Sequence, residues 1–203
     1  MKNFFLLLLL FSLSFHSFSQ SRIKGGVRAG GTASQISGDD LSGFHKLGGY
    51  AGVFANIPLS QNENWKFQME LNFIMKGSNM YVSGLNNPNI GRKYTLNLFY
   101  LEVPFLFKFM PFRNFDIELG PTFNILFGYR ESNEAGKIVG RPAFKFYEFS
   151  ILGGISYTIK EKWGISLRYS NSIIPVRKPT WVYDRRVNNQ FNSTFALSAT
   201  YQF

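Results

Sequence analysis

Arg28, Glu70, Glu102, Lys108, Glu118, Glu148 and Arg168 stand singly among alternating apolar neighbours, which puts charges of both signs on one side of extended chain. Such a set has two uses. Opposite charges brought together away from water either neutralise each other in hydrogen-bonded pairs or line a narrow path for ions. Pairing is the expected outcome, because a buried charge is costly unless it is paired and hydrogen-bonded. Counting along each segment places Arg28, Glu70, Glu102 and Arg168 at one depth, Glu118, Lys66 and Lys108 below, and Lys76 and Glu148 above. A second group, His45 with Asp39, Asp40 and Ser42, holds the residue types of an acyl-transfer site, but proximity in a connection does not orient a base on a nucleophile. The chain has no cysteine, no metal-ligand spacing and no phosphate-cradling glycine loop, so neither cofactor nor metal is expected. Asn192-Ser193-Thr194 matches a glycosylation acceptor and is read as incidental, since it opens a strand.

The elements that must carry these charges follow from a period of two. Trp65, Phe67, Met69, Leu71, Phe73 and Met75 alternate with Lys66, Gln68, Glu70, Asn72 and Lys76, with Ile74 the one exception. Phe115 to Tyr129, Tyr147 to Ile159, Trp163 to Ser170 and Thr194 to Phe203 repeat the pattern, as does Tyr94 to Met110, whose Phe99, Leu101, Val103, Phe105, Phe107 and Phe109 share a face. Ile23 to Ser34 and Lys46 to Ile57 are Gly-rich strands of the same kind, their glycines making room for large neighbours. Pro104, which lacks a ladder donor in mid-strand, is expected to mark a bulge. Eight strands result. Their connections alternate between short turns (58–64, 111–114, 160–162) and long loops (35–45, 78–92, 130–145, 175–191).

Even strand number, alternating connection length and strands able to cross a bilayer predict an all-β, up-and-down antiparallel transmembrane barrel of the outer membrane of a Gram-negative bacterium. A soluble sandwich or ligand-binding barrel would have to house this many aromatic side chains inside, where eight strands leave little room. Aromatic residues make up 18% of the chain, and the polar face is rich in Gly, Ser and Thr, as a narrow filled lumen requires. At the N-terminus, a short cationic start, the apolar run Phe4 to Phe15 and Ser17-Phe18-Ser19 read as a cleaved signal peptide over residues 1–19, leaving 20–203 as one barrel domain. The net charge of +10 comes from residues spread through the chain, which argues against a nucleic-acid groove. Arg130, Lys137, Arg141 and Lys145 in the third long loop, with Arg177, Lys178, Arg185 and Arg186 in the fourth, predict a basic outer rim. Guanidinium groups there suit the phosphates of outer-membrane lipid and lipopolysaccharide. Trp181 and Tyr183 are candidate contacts for an envelope protein partner.

Tyr100-Leu101-Glu102-Val103-Pro104-Phe105-Leu106-Phe107-Lys108, then Glu118-Leu119-Gly120-Pro121 after a short turn, resembles the central signature of the PorT-like outer-membrane β-barrel family of Bacteroidota. Phe67-Gln68-Met69-Glu70-Leu71 with Lys76-Gly77 resembles the strand before it. The resemblance implies an eight-stranded barrel with both ends on the periplasmic side, inserted by the barrel-assembly machinery through a strand ending on Phe203. It also implies a link to secretion of surface proteins, as for the family's namesake. The expected function is that of a non-enzymatic structural or interaction component of the envelope. The alternatives are a narrow pore and a lipid-modifying enzyme sited at the rim.

Overall fold

The computed structural model describes residues 23–37, 43–82, 92–133, 136–138, 143–177, 180–182, 185–187 and 189–203, and the expected signal peptide lies outside them. Alternation of polar and apolar side chains produces β1 (Lys24–Ser37), β2 (Lys46–Pro58), β3 (Trp65–Val82), β4 (Arg92–Phe112), β5 (Phe115–Asn133), β7 (Tyr147–Ile159), β8 (Trp163–Ser172) and β11 (Phe191–Gln202). Shorter pieces β6 (Gly136–Lys137), β9 (Thr180–Val182) and β10 (Arg185–Val187) lie in the connections. Each long strand pairs antiparallel with its neighbours in sequence, β1 pairs β11, and the β4–β5 ladder completes the circuit. The result is a closed antiparallel barrel of eight strands, which leaves no free edge along its wall.

One face of every long strand points outward. Leu119, Phe123, Phe127, Ile151, Ile165 and Leu197 are all more than half or nearly half exposed, while the residues between them are buried in the lumen. Rings cluster at both ends of this apolar band. Trp65 packs on Phe109 and Trp163 on Tyr201 near the short turns, and Phe195 meets Phe44 and Tyr169 near the long loops. Such girdles sit at bilayer interfaces. At the Arg113-Asn114 turn, Asn114 takes φ 68°, a left-handed conformation that asparagine tolerates better than most residues.

Two features depart from the pattern expected of the sequence. Strands β3, β4 and β5 run to 18, 21 and 19 residues, against 10 for β8. Pairing continues from Gly77↔Asn97 to Val82↔Arg92, beyond the end of the apolar alternation. A transmembrane strand needs about 9–11 residues, so these three form a wall that rises past the bilayer on the long-loop side. The bulge expected at Pro104 lies elsewhere. Phe99 pairs with Gly128 and Tyr100 with Leu126, leaving Phe127 as the extra residue, whereas Pro104 keeps its register opposite Thr122. The missing donor of Pro104 shows on the β3 side instead, where Met69↔Phe105 and Asn72↔Glu102 are paired but the positions between them are not.

Candidate functional site

The lumen face collects the charges. Arg168 on β8 lies at the centre: its Nε and Nη2 donate to Glu118, the latter at 3.0 Å, and its Nη1 and Nη2 donate to Glu70 at 2.8 Å each. This is a guanidinium fork engaging two carboxylates, a geometry that an ammonium cannot copy. Arg28 on β1 adds a third arm at 3.1 Å to Glu70 Oε2. The Tyr50 hydroxyl accepts from both arginines, at 3.0 Å from Arg28 and 2.9 Å from Arg168. Glu70 is completed by Gln68 Nε2 and by Asn72 Nδ2, the latter at 2.7 Å.

Local sequence explains how Arg168 reaches Glu118. The two residues are in register with Gly154, which stands between them on β7, and a Cβ at Gly154 would lie 2.9 Å from Arg168 Cγ and 3.0 Å from Glu118 Oε1. The absent side chain is the space through which the ion pair forms. Gly26 does the same for Phe54, whose ring tip would lie 2.2 Å from an added Cβ.

A second layer sits toward the long loops. Lys76 bridges Glu148 at 2.9 Å and Glu102 at 3.3 Å above the ring of Tyr100. Glu148 also accepts from Ser150 at 2.8 Å and from Asn192 at 2.9 Å. A third layer lies toward the short turns, where Lys66 meets Asp116 at 3.2 Å and Lys108 approaches Asp116 at 3.6 Å and Glu118 at 3.5 Å. Arg28, Lys66, Lys76, Lys108 and Arg168 are thus matched one for one by Glu70, Glu102, Asp116, Glu118 and Glu148.

From the level between Glu70 and Lys76 onward to the long loops the lumen turns apolar. Ile36, Ile74, Leu96, Leu98, Tyr100 and Leu126 form a buried cluster with Phe144 and Val176, which enter from the connections. Ile74, the exception in the alternation of β3, is a lumen residue of this cap. The connections are tied over it by Lys145 N donating to Val176 O at 2.8 Å and Val176 N to Gln190 O at 2.8 Å. Arg177 closes the arrangement, donating to Glu131 Oε2 at 3.1 Å with its guanidinium 4.3 Å from the centre of the Phe144 ring.

The sequence matches the family described as outer membrane protein beta-barrel domain over residues 18–177. The chain belongs to that family. No curated protein matches it. Among solved structures it is similar to neisserial surface protein A, at 14% identity over 88% of this chain and 97% of that one, with a TM-score of 0.53. It is also similar to Ail, the attachment invasion locus protein of Yersinia pestis, solved with the heparin analogue sucrose octasulfate, at 12% identity over 89% of this chain and 99% of that one, with a TM-score of 0.50. As a member of this family, the barrel resides in the outer membrane of a Gram-negative cell. The family match ends before β11, the strand that closes the barrel on β1.

The structure brings all seven of the charges first singled out into the lumen, but in different company from that expected. Glu102 belongs with Lys76 rather than with Glu70 and Arg168, and Glu118 rises into the central layer. Barrel strands are tilted and staggered, so equal counts from strand ends are not equal heights. Asp116, Tyr50, Gln68 and Asn72 join the network without having been singled out. At the rim, Arg130 and Lys137 are exposed and Lys145 is half-buried. Arg177, expected at the outer surface, is instead 3% exposed, held inward by Glu131. Trp181 pairs with Arg186, and Arg185 with Val182, in the β9–β10 hairpin. Arg141, Lys178 and Tyr183 lie outside the described residues, as do Asp39, Asp40 and Ser42. His45 is exposed, its backbone N–H donating to Gly43 O at 2.9 Å.

Proposed function

We propose that the protein is a non-enzymatic component of the outer membrane whose lumen is a structural plug and whose outward surface is the working part. The observation that carries this reading is the lumen itself, where each cation meets a carboxylate and an apolar cap lies toward the long loops. Ions crossing it would have to break buried pairs and then pass a dry layer, which opposes the pore alternative. The catalytic alternative rests on His45, which is exposed and has no oriented side-chain partner among the described residues.

The outward surface offers two contact chemistries. Exposed Arg130 and Lys137, on the long-loop side of the tall β3–β5 wall, would suit the phosphates of lipopolysaccharide. The β9–β10 hairpin carries Trp181, Arg185 and Arg186 as candidate contacts for an envelope protein, with Lys178 and Tyr183 next to them in sequence and Arg141 and Lys145 in the third long loop as further candidates. A role beside the secretion of surface proteins, as the PorT-like resemblance implies, would use the same loops. Photo-cross-linking from positions 137 and 181 in intact cells tests the reading: capture of lipopolysaccharide or of one envelope protein is expected. Capture of neither, together with a lipid-modifying activity abolished by His45→Ala, would overturn it.

A further inference from the structure

The tall β3–β5 wall has an inward face above the bilayer, and two of the long connections dock on it. Beyond the bulge at Phe127, Glu131 lies opposite Leu96 and Tyr129 opposite Leu98, so both share the side of the two buried leucines. Arg177 donates to Glu131 Oε2 at 3.1 Å and to Oε1 at 3.4 Å, and the Tyr94 hydroxyl donates to Oε1 at 2.8 Å. Phe144 packs beside the pair, its ring centre 5.4 Å from that of Tyr129 and 4.3 Å from the Arg177 guanidinium. A guanidinium that engages both oxygens of a carboxylate and lies over a ring fixes orientation as well as distance.

The segments behind this contact are bonded to one another through the backbone. Lys145 N donates to Val176 O and Val176 N to Gln190 O, each at 2.8 Å, and Gln190 N donates to Arg177 O at 3.3 Å. Residues 144–145, 176–177 and 190 thus form one strap over the mouth of the barrel. Its roots are in the barrel ladder, where Leu126 N donates to Phe146 O and Ile173 N to Phe149 O. Its far end is held to the wall by the side chains of Arg177 and Phe144. The two candidate contact segments start from the same place. Ile138 N donates to Glu131 O at 3.1 Å and Ser132 pairs with Lys137, so the turn that carries Lys137 springs from Glu131. Arg177 stands just before β9 (Thr180–Val182). One ion pair therefore joins the bases of both.

We propose that the Arg177–Glu131 pair is a clasp that fixes the turn bearing Lys137 and the β9–β10 hairpin into one preorganised outer surface, and that its release frees the strap without opening the barrel. The proposal rests on the reading of the outer loops as the working part. A buried carboxylate stripped of its cation is costly, and lifting the strap relieves that cost by admitting water to Glu131, while the three charge layers below stay shut. The test follows amide hydrogen exchange of the full mature barrel in lipid nanodiscs, beside the urea midpoint for folding into vesicles. Arg177→Gln is expected to raise exchange at Val176, Gln190 and Ile138 by about tenfold or more, with exchange at Leu167 and Leu197 and the urea midpoint unchanged. Swapping the charges, Arg177→Glu with Glu131→Arg, should restore most of the protection, which lost packing alone would not do. Unchanged exchange in Arg177→Gln, a rise that extends equally to Leu167 and Leu197, failure of the variant to fold, or no recovery on swapping the charges would each overturn the proposal. Exchange needs no ligand, so failure of the clasp shows there, whereas failure of the outer-surface reading shows in the cross-links from positions 137 and 181.

Discussion

Arg168 holds Glu70 and Glu118 in one fork, and all three side chains are almost completely buried. Removing the cation while leaving both carboxylates in place is the costly change, since an unpaired buried charge destabilises far more than a pair stabilises. Arg168→Met should lower stability by about 3–5 kcal/mol, measured as the urea midpoint for folding into lipid vesicles. Arg168→Lys should recover only part of this, because one ammonium cannot fork to two carboxylates. Gly154→Val should cost about 1–3 kcal/mol by overpacking, because its Cβ would press on Arg168 Cγ at 2.9 Å; the same urea titration reads it. That the charges face inward was legible in the period-two pattern. Which charges meet was not, since Glu118 reaches Arg168 across the gap at Gly154, a contact between three strands that no single segment encodes. Tyr50 escaped notice for a related reason: it stands in a Gly-rich strand whose alternation is weak.

The strands themselves were legible because lipid on one side and a filled lumen on the other impose the same alternation on each of them. The connections were not. Phe144, Val176 and Arg177 turn back into the mouth of the barrel through contacts with residues far away in sequence, and a connection has no period to show which side chains do so. Ile74 was a local trace of the apolar cluster, visible as a break in the alternation of β3. The cap is a packed core, and its truncation should behave as one: Leu98→Ala is expected to cost about 2–5 kcal/mol. On the opposite face, Phe123→Arg should cost about 2–4 kcal/mol near the bilayer midplane, and both follow from urea titration in vesicles. If Leu98→Ala proved neutral, the cap would contribute nothing to stability and the charge network alone would hold the lumen closed.

As a whole the barrel is asymmetric along its axis. From the short turns inward come an open vestibule, three layers of matched charges and an apolar cap tied over by the long connections. This order makes the lumen accessible from one side and sealed to the other, and it leaves the lipid-facing band, the tall β3–β5 wall and the outer loops as the surfaces through which the protein meets its surroundings. The central claim is therefore that nothing passes through. Single-channel recording of the purified barrel in planar bilayers tests it most directly: the sealed lumen predicts no stable conductance at any salt concentration, and a steady, saturating conductance abolished by Glu102→Ala or Arg168→Ala would contradict it.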